Sequence, residues 1–288
     1  MHIQENSSPQ MSAPLPALRV RTAFALAHQA NRGALMPYIM CGYPTGPQSV
    51  AAVLAAAEAG ADIIELGMPF SDPLADGPTI QYAGQCALRG GMTMRGCIEV
   101  ARQVSAHSHV PLLLMGYYNP LLAYGLERFC QEAAAAGVCG LIIPDLPPEE
   151  AEPLRQAAVQ AGLTLVFLVP PTTSDARIAH IAHIASTIAG SFLYCVSLSG
   201  VTGARGALPA HLPAFLARVR GQTQVYGLPI AVGFGLSQPA HISAVVQLAD
   251  GAAVGSALVQ LLSDHPTTQV EAVKRYISAL SAATVRTP

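Results

Sequence analysis

The sequence predicts an α/β fold: a single parallel (β/α)8 barrel of the TIM type, with extended loops after its second and sixth strands. Three observations predict it. Eight short apolar runs recur along the chain, alanine-rich helical stretches alternate with them, and no linker or composition shift divides the 288 residues. Strands that alternate with helices pair in parallel, and eight such units in a chain of this size favour a closed barrel over an open sheet. Half of the residues are apolar and only 11% are charged, which suits a large core.

The elements follow in chain order. Residues 1–17 are polar and contain proline, so they read as a flexible tail ahead of a barrel over 18–288. The first strand is 35–41 (LMPYIMC), followed by a helical stretch over 47–59. Gly60 then suits a left-handed helix end just before the second strand, 61–67 (ADIIELG). A long loop and a helix over 92–106 lead to the third strand, 111–117 (PLLLMGY). A helix over 126–136 closes at Gly137, and the fourth strand is 138–144 (VCGLIIP). Helices over 149–161 and 174–185 flank the fifth strand, 163–169 (LTLVFLV). The sixth strand, 192–197 (FLYCVS), runs into a glycine-rich connection and a helix over 208–219. The seventh, 229–234 (PIAVGF), precedes a helix over 237–247, and the eighth is 250–254 (DGAAV). Ser256 opens a last apolar helical run.

Composition excludes several functions. The net charge is −2 and the basic residues are scattered, so no stripe for nucleic acid or an anionic membrane exists. No apolar run reaches the length of a membrane span. The six cysteines include no C-x-x-C pair and sit in apolar runs, as expected of a reduced cytoplasmic protein. His180 and His183 have helical spacing, but with no Cys or acid close by they read as a solvated face, and no metal site is expected. The amino-terminal residues lack the apolar core of a signal peptide.

Chemistry concentrates in "ELGMPFSDPLADGPTIQ", residues 65–81. Glu65 ends an apolar strand, where a charge is costly, and Asp72 and Asp76 follow on a loop stiffened by Pro69, Pro73 and Pro78. Period-two alternation puts Glu65 on one face with Ile63, aimed into the barrel mouth, where burial would raise its pKa and let it carry a proton. The alternative, a strand-end Glu paired with Arg, is disfavoured by the lack of positive charge nearby. Tyr194 alternates with Phe192 and Val196 and reads equally as a core aromatic or as a group in the same mouth. Glycines cluster after the last three strands: Gly203, then Gly233 and Gly235 around Phe234, then Gly255 before Ser256. Backbone N–H groups there, with the helix that Ser256 opens, form an anion site needing no basic residue. The substrate is therefore expected to carry a phosphate.

The stretch from Glu65 to Pro78 closely resembles the signature of the tryptophan synthase alpha chain family. So do Met115-Gly116-Tyr117-Tyr118-Asn119-Pro120, Pro144-Asp145-Leu146-Pro147, Ser199-Gly200-Val201-Thr202-Gly203, Val232-Gly233-Phe234-Gly235 and Gly255-Ser256. The resemblance implies retro-aldol cleavage of indole-3-glycerol phosphate to indole and glyceraldehyde 3-phosphate, without metal or cofactor in this chain. By motif position it makes Glu65 the general acid/base, Asp76 the partner of the indole N–H, and Tyr194 a neighbour of the cleaved bond. Tyr38, Gly203, Phe234, Gly235, Gly255 and Ser256 would bind substrate and its phosphate. Asp72, Pro73 and Asn119 would face a beta chain that carries pyridoxal phosphate and receives the indole, in an alpha2beta2 assembly. Pyridoxal phosphate itself needs a Schiff-base lysine, and Lys274, near the C-terminus, is the only lysine here.

The chain departs from the family pattern at Leu198, where an Arg is frequent, and at Met40 and Tyr43, where a Thr and an Asp are frequent. Three rival readings share parts of the pattern. A stand-alone lyase would release free indole, and another phosphate-binding barrel would share the glycines but not the acid-rich loop. A barrel that only activates a beta chain would have no use for Glu65, Asp76 and Tyr194.

Overall fold

Each apolar run forms one strand, because helices cover the outside of the sheet and side chains fill its inside. The strands are β1 (Ala34–Met40), β2 (Ile64–Gly67), β3 (Leu112–Met115), β4 (Val138–Ile142), β5 (Thr164–Val169), β6 (Leu193–Val196), β7 (Ile230–Gly233) and β8 (Gly251–Val254). They pair in parallel in chain order, and β8 pairs back to β1 to close the barrel. The computed structural model describes residues 15–197, 208–233 and 235–287. Most of the long connection after β6 thus lies outside the described residues, as does residue 198, where the family pattern breaks.

The helices are α1 (Pro16–Gln29), α2 (Gly46–Glu58), α3 (Pro78–Arg89), α4 (Met94–Ser105), α5 (Tyr118–Tyr124), α6 (Leu126–Ala135), α7 (Glu152–Gln160), α8 (Asp175–Ser186), α9 (Leu212–Thr223), α10 (Pro239–Val246), α11 (Ser256–Asp264) and α12 (Gln269–Ala282). Hydroxyls of Thr45, Thr93 and Ser174 accept from backbone N–H groups in the first turns of α2, α4 and α8. Gly60 and Gly137 take φ of +103° and +89°, the left-handed helix endings expected of them.

Four helices were not anticipated: α1, α3, α5 and α12. Pro16 and Ala17, read as tail, open α1, whose Ala17, Val20, Phe24 and Ala27 are buried at helical spacing. Proline at the first turn is compatible with a helix, and Pro78 starts α3 in the same way. α1 lies across the N-terminal end of the barrel. The Phe24 ring is 5.1 Å from Phe192, and the Ala17 N–H donates to the Gly162 carbonyl ahead of β5. No helix among the described residues is long and apolar enough to cross a membrane.

The same end of the barrel is held by paired acids. Asp62, ahead of β2, takes both guanidinium nitrogens of Arg32 at 2.6 Å and the Leu35 N–H at 2.8 Å. Asp250, ahead of β8, takes Arg220 at 2.7 Å and the Ile230 N–H at 2.9 Å. Each acid ties the starts of two strands to a cation.

Asp62→Ala should lower unfolding stability by about 2 kcal/mol, since it strands a partly buried guanidinium and a strand N–H together. The shift of the urea midpoint measures it, and an unchanged midpoint would show that the pair contributes nothing net.

Candidate active site

At the C-terminal ends of the strands a cavity of about 470 Å³ opens, lined by Tyr38, Glu65, Asp76, Tyr194, Gly235 and Ser256 among others. Register builds its floor: Glu65 pairs laterally with Tyr38 of β1 on one side and with Leu113 of β3 on the other. Tyr194 stands across the barrel on β6, and its hydroxyl donates to Glu65 Oε2 at 3.5 Å. Tyr194, read from sequence as core or mouth alike, is both: it is buried and it lines the cavity.

Glu65 is 1% exposed, and its Oε1 has no hydrogen-bond partner among the described residues. No Arg or Lys among the described residues lines the cavity. Burial without a cation therefore pushes its carboxyl up to about 8, with the Tyr194 hydrogen bond opposing in part. At neutral pH this group holds its proton.

Two strand glycines make room for the tyrosines. A Cβ on Gly67 would fall 2.0 Å from Tyr38 Oη, and one on Gly233 would fall 2.2 Å from Tyr194 Oη. Gly233, grouped by sequence with the anion-site glycines, is the last residue of β7 and seats Tyr194 instead. Burial raises both tyrosine hydroxyls well above their ordinary pKa, so they remain neutral donors.

Asp76 reaches the cavity from the loop between β2 and α3. Burial raises its carboxyl to about 6, opposed by a hydrogen bond from Tyr117. Tyr117 went unassigned in the sequence, although it lies inside a quoted motif. Its hydroxyl also accepts the Ala75 N–H at 3.0 Å, and its ring lies 5.4 Å from Phe70. It pins the loop just ahead of Asp76, at Phe70 and Ala75. At pH 7 the two acids thus differ in state, with Glu65 neutral and Asp76 mostly ionised.

The end of the cavity expected to hold an anion is built from backbone. Gly235 takes φ +80°, which favours glycine, and α11 starts at Ser256 as expected. Gly255 is needed neither for strain nor for space: its φ is −117°, and an added Cβ would meet only Tyr38, at 3.6 Å. A side chain there would instead narrow the cavity that Gly255 lines. The N–H groups of Ser256 and Ala257 have no partner among the described residues. Gly203 and Phe234, also expected at this end, lie outside the described residues.

Other expected positions fall elsewhere. Asp72 is exposed and takes the Ser71 hydroxyl, Pro73 is half-buried, and Asn119 is exposed in α5. Leu74 between the loop acids is 95% exposed. Met40 and Tyr43 are buried in the core. Lys274 pairs with Glu58 at 2.6 Å on the outer helix α12, so no lysine amine faces the cavity. His180 and His183 are exposed, and among the described residues no three His, Cys, Asp or Glu side chains gather as metal ligands would.

The family model described as tryptophan synthase alpha chain matches residues 24–285. The tryptophan synthase alpha chain of Chloroflexus aurantiacus is 51% identical over 270 residues, spanning 93% of this chain and 99% of that relative. Among solved structures, Mycobacterium tuberculosis tryptophan synthase matches with a TM-score of 0.84 at 37% identity, covering 93% of this chain and 99% of the matched chain. The tryptophan synthase alpha chain from Legionella pneumophila subsp. pneumophila matches with a TM-score of 0.82 at 32% identity, covering 92% and 97%.

The raised carboxyl of Glu65 has a consequence for stability. Its pKa is about 8 when folded and 4.5 by reference when unfolded, so the folded state binds this proton more tightly. That contribution is full below pH 4.5 and is lost as pH climbs through 8. Glu65→Gln, which cannot ionise, should lose less melting temperature than the wild type between pH 5 and pH 9. Parallel melting curves for the two proteins across that range would mean that Glu65 is not held neutral.

Proposed function

The chain belongs to the tryptophan synthase alpha chain family, and from that premise we propose how its barrel mouth performs the retro-aldol cleavage of indole-3-glycerol phosphate. The enzyme is a lyase whose products are indole and glyceraldehyde 3-phosphate. The observation that carries the residue assignment is the pair of carboxyls in one cavity, Glu65 at about 8 and Asp76 at about 6.

Glu65, neutral at pH 7, delivers its proton to indole C3. Positive charge then accumulates at the indole nitrogen, where the Asp76 carboxylate accepts the N–H and offsets it. The Glu65 carboxylate next takes the proton from the hydroxyl on the adjacent glycerol carbon. As that oxygen becomes a carbonyl, the bond from its carbon to C3 breaks and its electrons return to the ring. Indole and the aldehyde result, and Glu65 has its proton back. Tyr194, donating to Glu65 Oε2, steadies the carboxylate stage and orients the group. Tyr38 walls the substrate from β1. Phosphate rests on the N–H groups at Gly235, Gly255 and Ser256, with Gly203 and Phe234 assigned by motif position.

The family pairs with a beta chain. We place Asp72, Pro73 and Asn119 on the face that meets it, in an alpha2beta2 assembly. Supporting this are the exposure of Asp72, Leu74 and Asn119 and the Ala75–Tyr117 hydrogen bond, which joins the loop to the end of β3. Pyridoxal phosphate belongs to that partner, for which this chain's cavity offers no amine. A cytoplasmic location and a barrel domain that takes in α1 from Pro16, after a tail, complete the reading.

Indole release from indole-3-glycerol phosphate, measured with and without a beta chain, tests the function. A slow chain that accelerates on adding the partner is expected, whereas full activity alone would favour a stand-alone lyase. Glu65→Gln should lower kcat by about a thousandfold, and Asp76→Asn by about a hundredfold, with substrate still bound. The pH profile of kcat/KM should be bell-shaped, with limbs at about 6 and about 8. A profile flat across that range would remove both carboxyls from the proton transfer.

A further inference from the structure

Ser237 lies in the connection between β7 and α10, beside Gly235 and Leu236 on the cavity wall. Both polar groups of its backbone are held from behind. Its N–H donates to His241 Nδ1 at 3.3 Å, and its carbonyl accepts the Tyr276 hydroxyl at 2.8 Å. His241 comes from α10 and Tyr276 from α12, two helices of the outer layer that pack on each other. Neither residue lines the cavity.

This arrangement is costly unless it serves the loop. His241 is 4% exposed, and Nδ1 as acceptor puts the ring proton on Nε2. Nε2 is buried without a hydrogen-bond partner among the described residues. A buried polar atom left unpaired destabilises, and an apolar side chain of like volume would avoid that. Among the described residues, the one hydrogen bond the imidazole makes is to the loop. Meanwhile the N–H groups of Gly235 and Leu236 have no partner among the described residues, so the loop's free donors stand just ahead of the clamped one.

We propose that His241 and Tyr276 are positioning residues that clamp Ser237 from both sides, holding the β7–α10 connection in the shape that presents its free N–H groups to the substrate phosphate. The proposal rests on the phosphate site described under the proposed function. The clamp acts on binding, because it is attached to the phosphate end of the cavity and not to Glu65 or Asp76. An anion bound at Gly235 meets donors already oriented, so little ordering cost remains to be met on binding.

The test is calorimetric titration of the whole chain with glycerol 3-phosphate, alongside steady-state indole release. His241→Leu and Tyr276→Phe should each weaken glycerol 3-phosphate binding and raise KM by about three- to tenfold, the scale of one hydrogen bond, with kcat within about twofold. His241→Gln, whose amide oxygen can accept the same N–H, should recover most of the affinity. Tyr276→Phe removes a single hydroxyl, so it decides the matter even if His241→Leu fails to fold. Asp62→Ala, which weakens the opposite end of the barrel, should leave the affinity unchanged. Wild-type affinity in Tyr276→Phe, a fall in kcat at unchanged KM, or an equal loss in Asp62→Ala would each overturn the clamp. A wild-type chain that binds glycerol 3-phosphate but never cleaves indole-3-glycerol phosphate would overturn the proposed function while leaving the clamp standing.

Discussion

Burial of one carboxyl that no cation among the described residues reaches is the constraint on which the rest of the site depends. Glu65 shares its segment with Asp62, three residues earlier, and the two acids meet opposite fates. Asp62 sits at the closed end of the barrel, where Arg32 and a strand N–H stabilise its charge. Glu65 sits at the open end, among tyrosines and apolar side chains, and gains a phenol hydrogen bond but, among the described residues, no cation. The closed end secures the fold with paired charges. The open end keeps a proton available by withholding them.

That constraint also explains how an anion can be held nearby. A guanidinium lining the same cavity would favour ionised Glu65 and release its proton at neutral pH. Main-chain N–H groups and a helix N-terminus attract an anion with partial charges whose influence fades within about a turn. On the proposed function, the cavity therefore combines an anion-accepting end with a neutral acid. It also explains the support around the site. Two strand glycines seat two tyrosine hydroxyls, Tyr117 pins the loop of Asp76, and Ser237 is clamped behind the anion end. Each device orients a group without bringing a positive side chain to the carboxyl.

Much of this was legible in the sequence. All eight strands fall where the apolar runs predict them, since a strand buried on both faces must be apolar nearly throughout. Helix edges were less so: α9 spans Leu212–Thr223 against an expected 208–219, because Leu208 and Ala210 carry the apolar pattern ahead of the turn from which the helix starts, and its last turn is polar. α1 was legible and overlooked, its apolar spacing merging with the tail ahead of it. Pro78 hid the start of α3, since a proline that opens a helix looks like the proline-rich loop before it.

The sequence by itself determined the barrel, the strand-end position of Glu65 and the acids on a stiff loop. These are local properties, set by spacing along a single element. Only the tertiary structure decided that Tyr194 reaches Glu65 across 129 residues of chain, that Tyr117 holds the Asp76 loop, and that Gly233 serves a tyrosine instead of an anion. It also decided that His241 and Tyr276 meet at Ser237. The physical reason is closure. In a strand buried on both sides, an apolar pattern does not say which face looks inward. Which side chains then meet across the barrel depends on the register of the pairs that join β1 through β8 and back again.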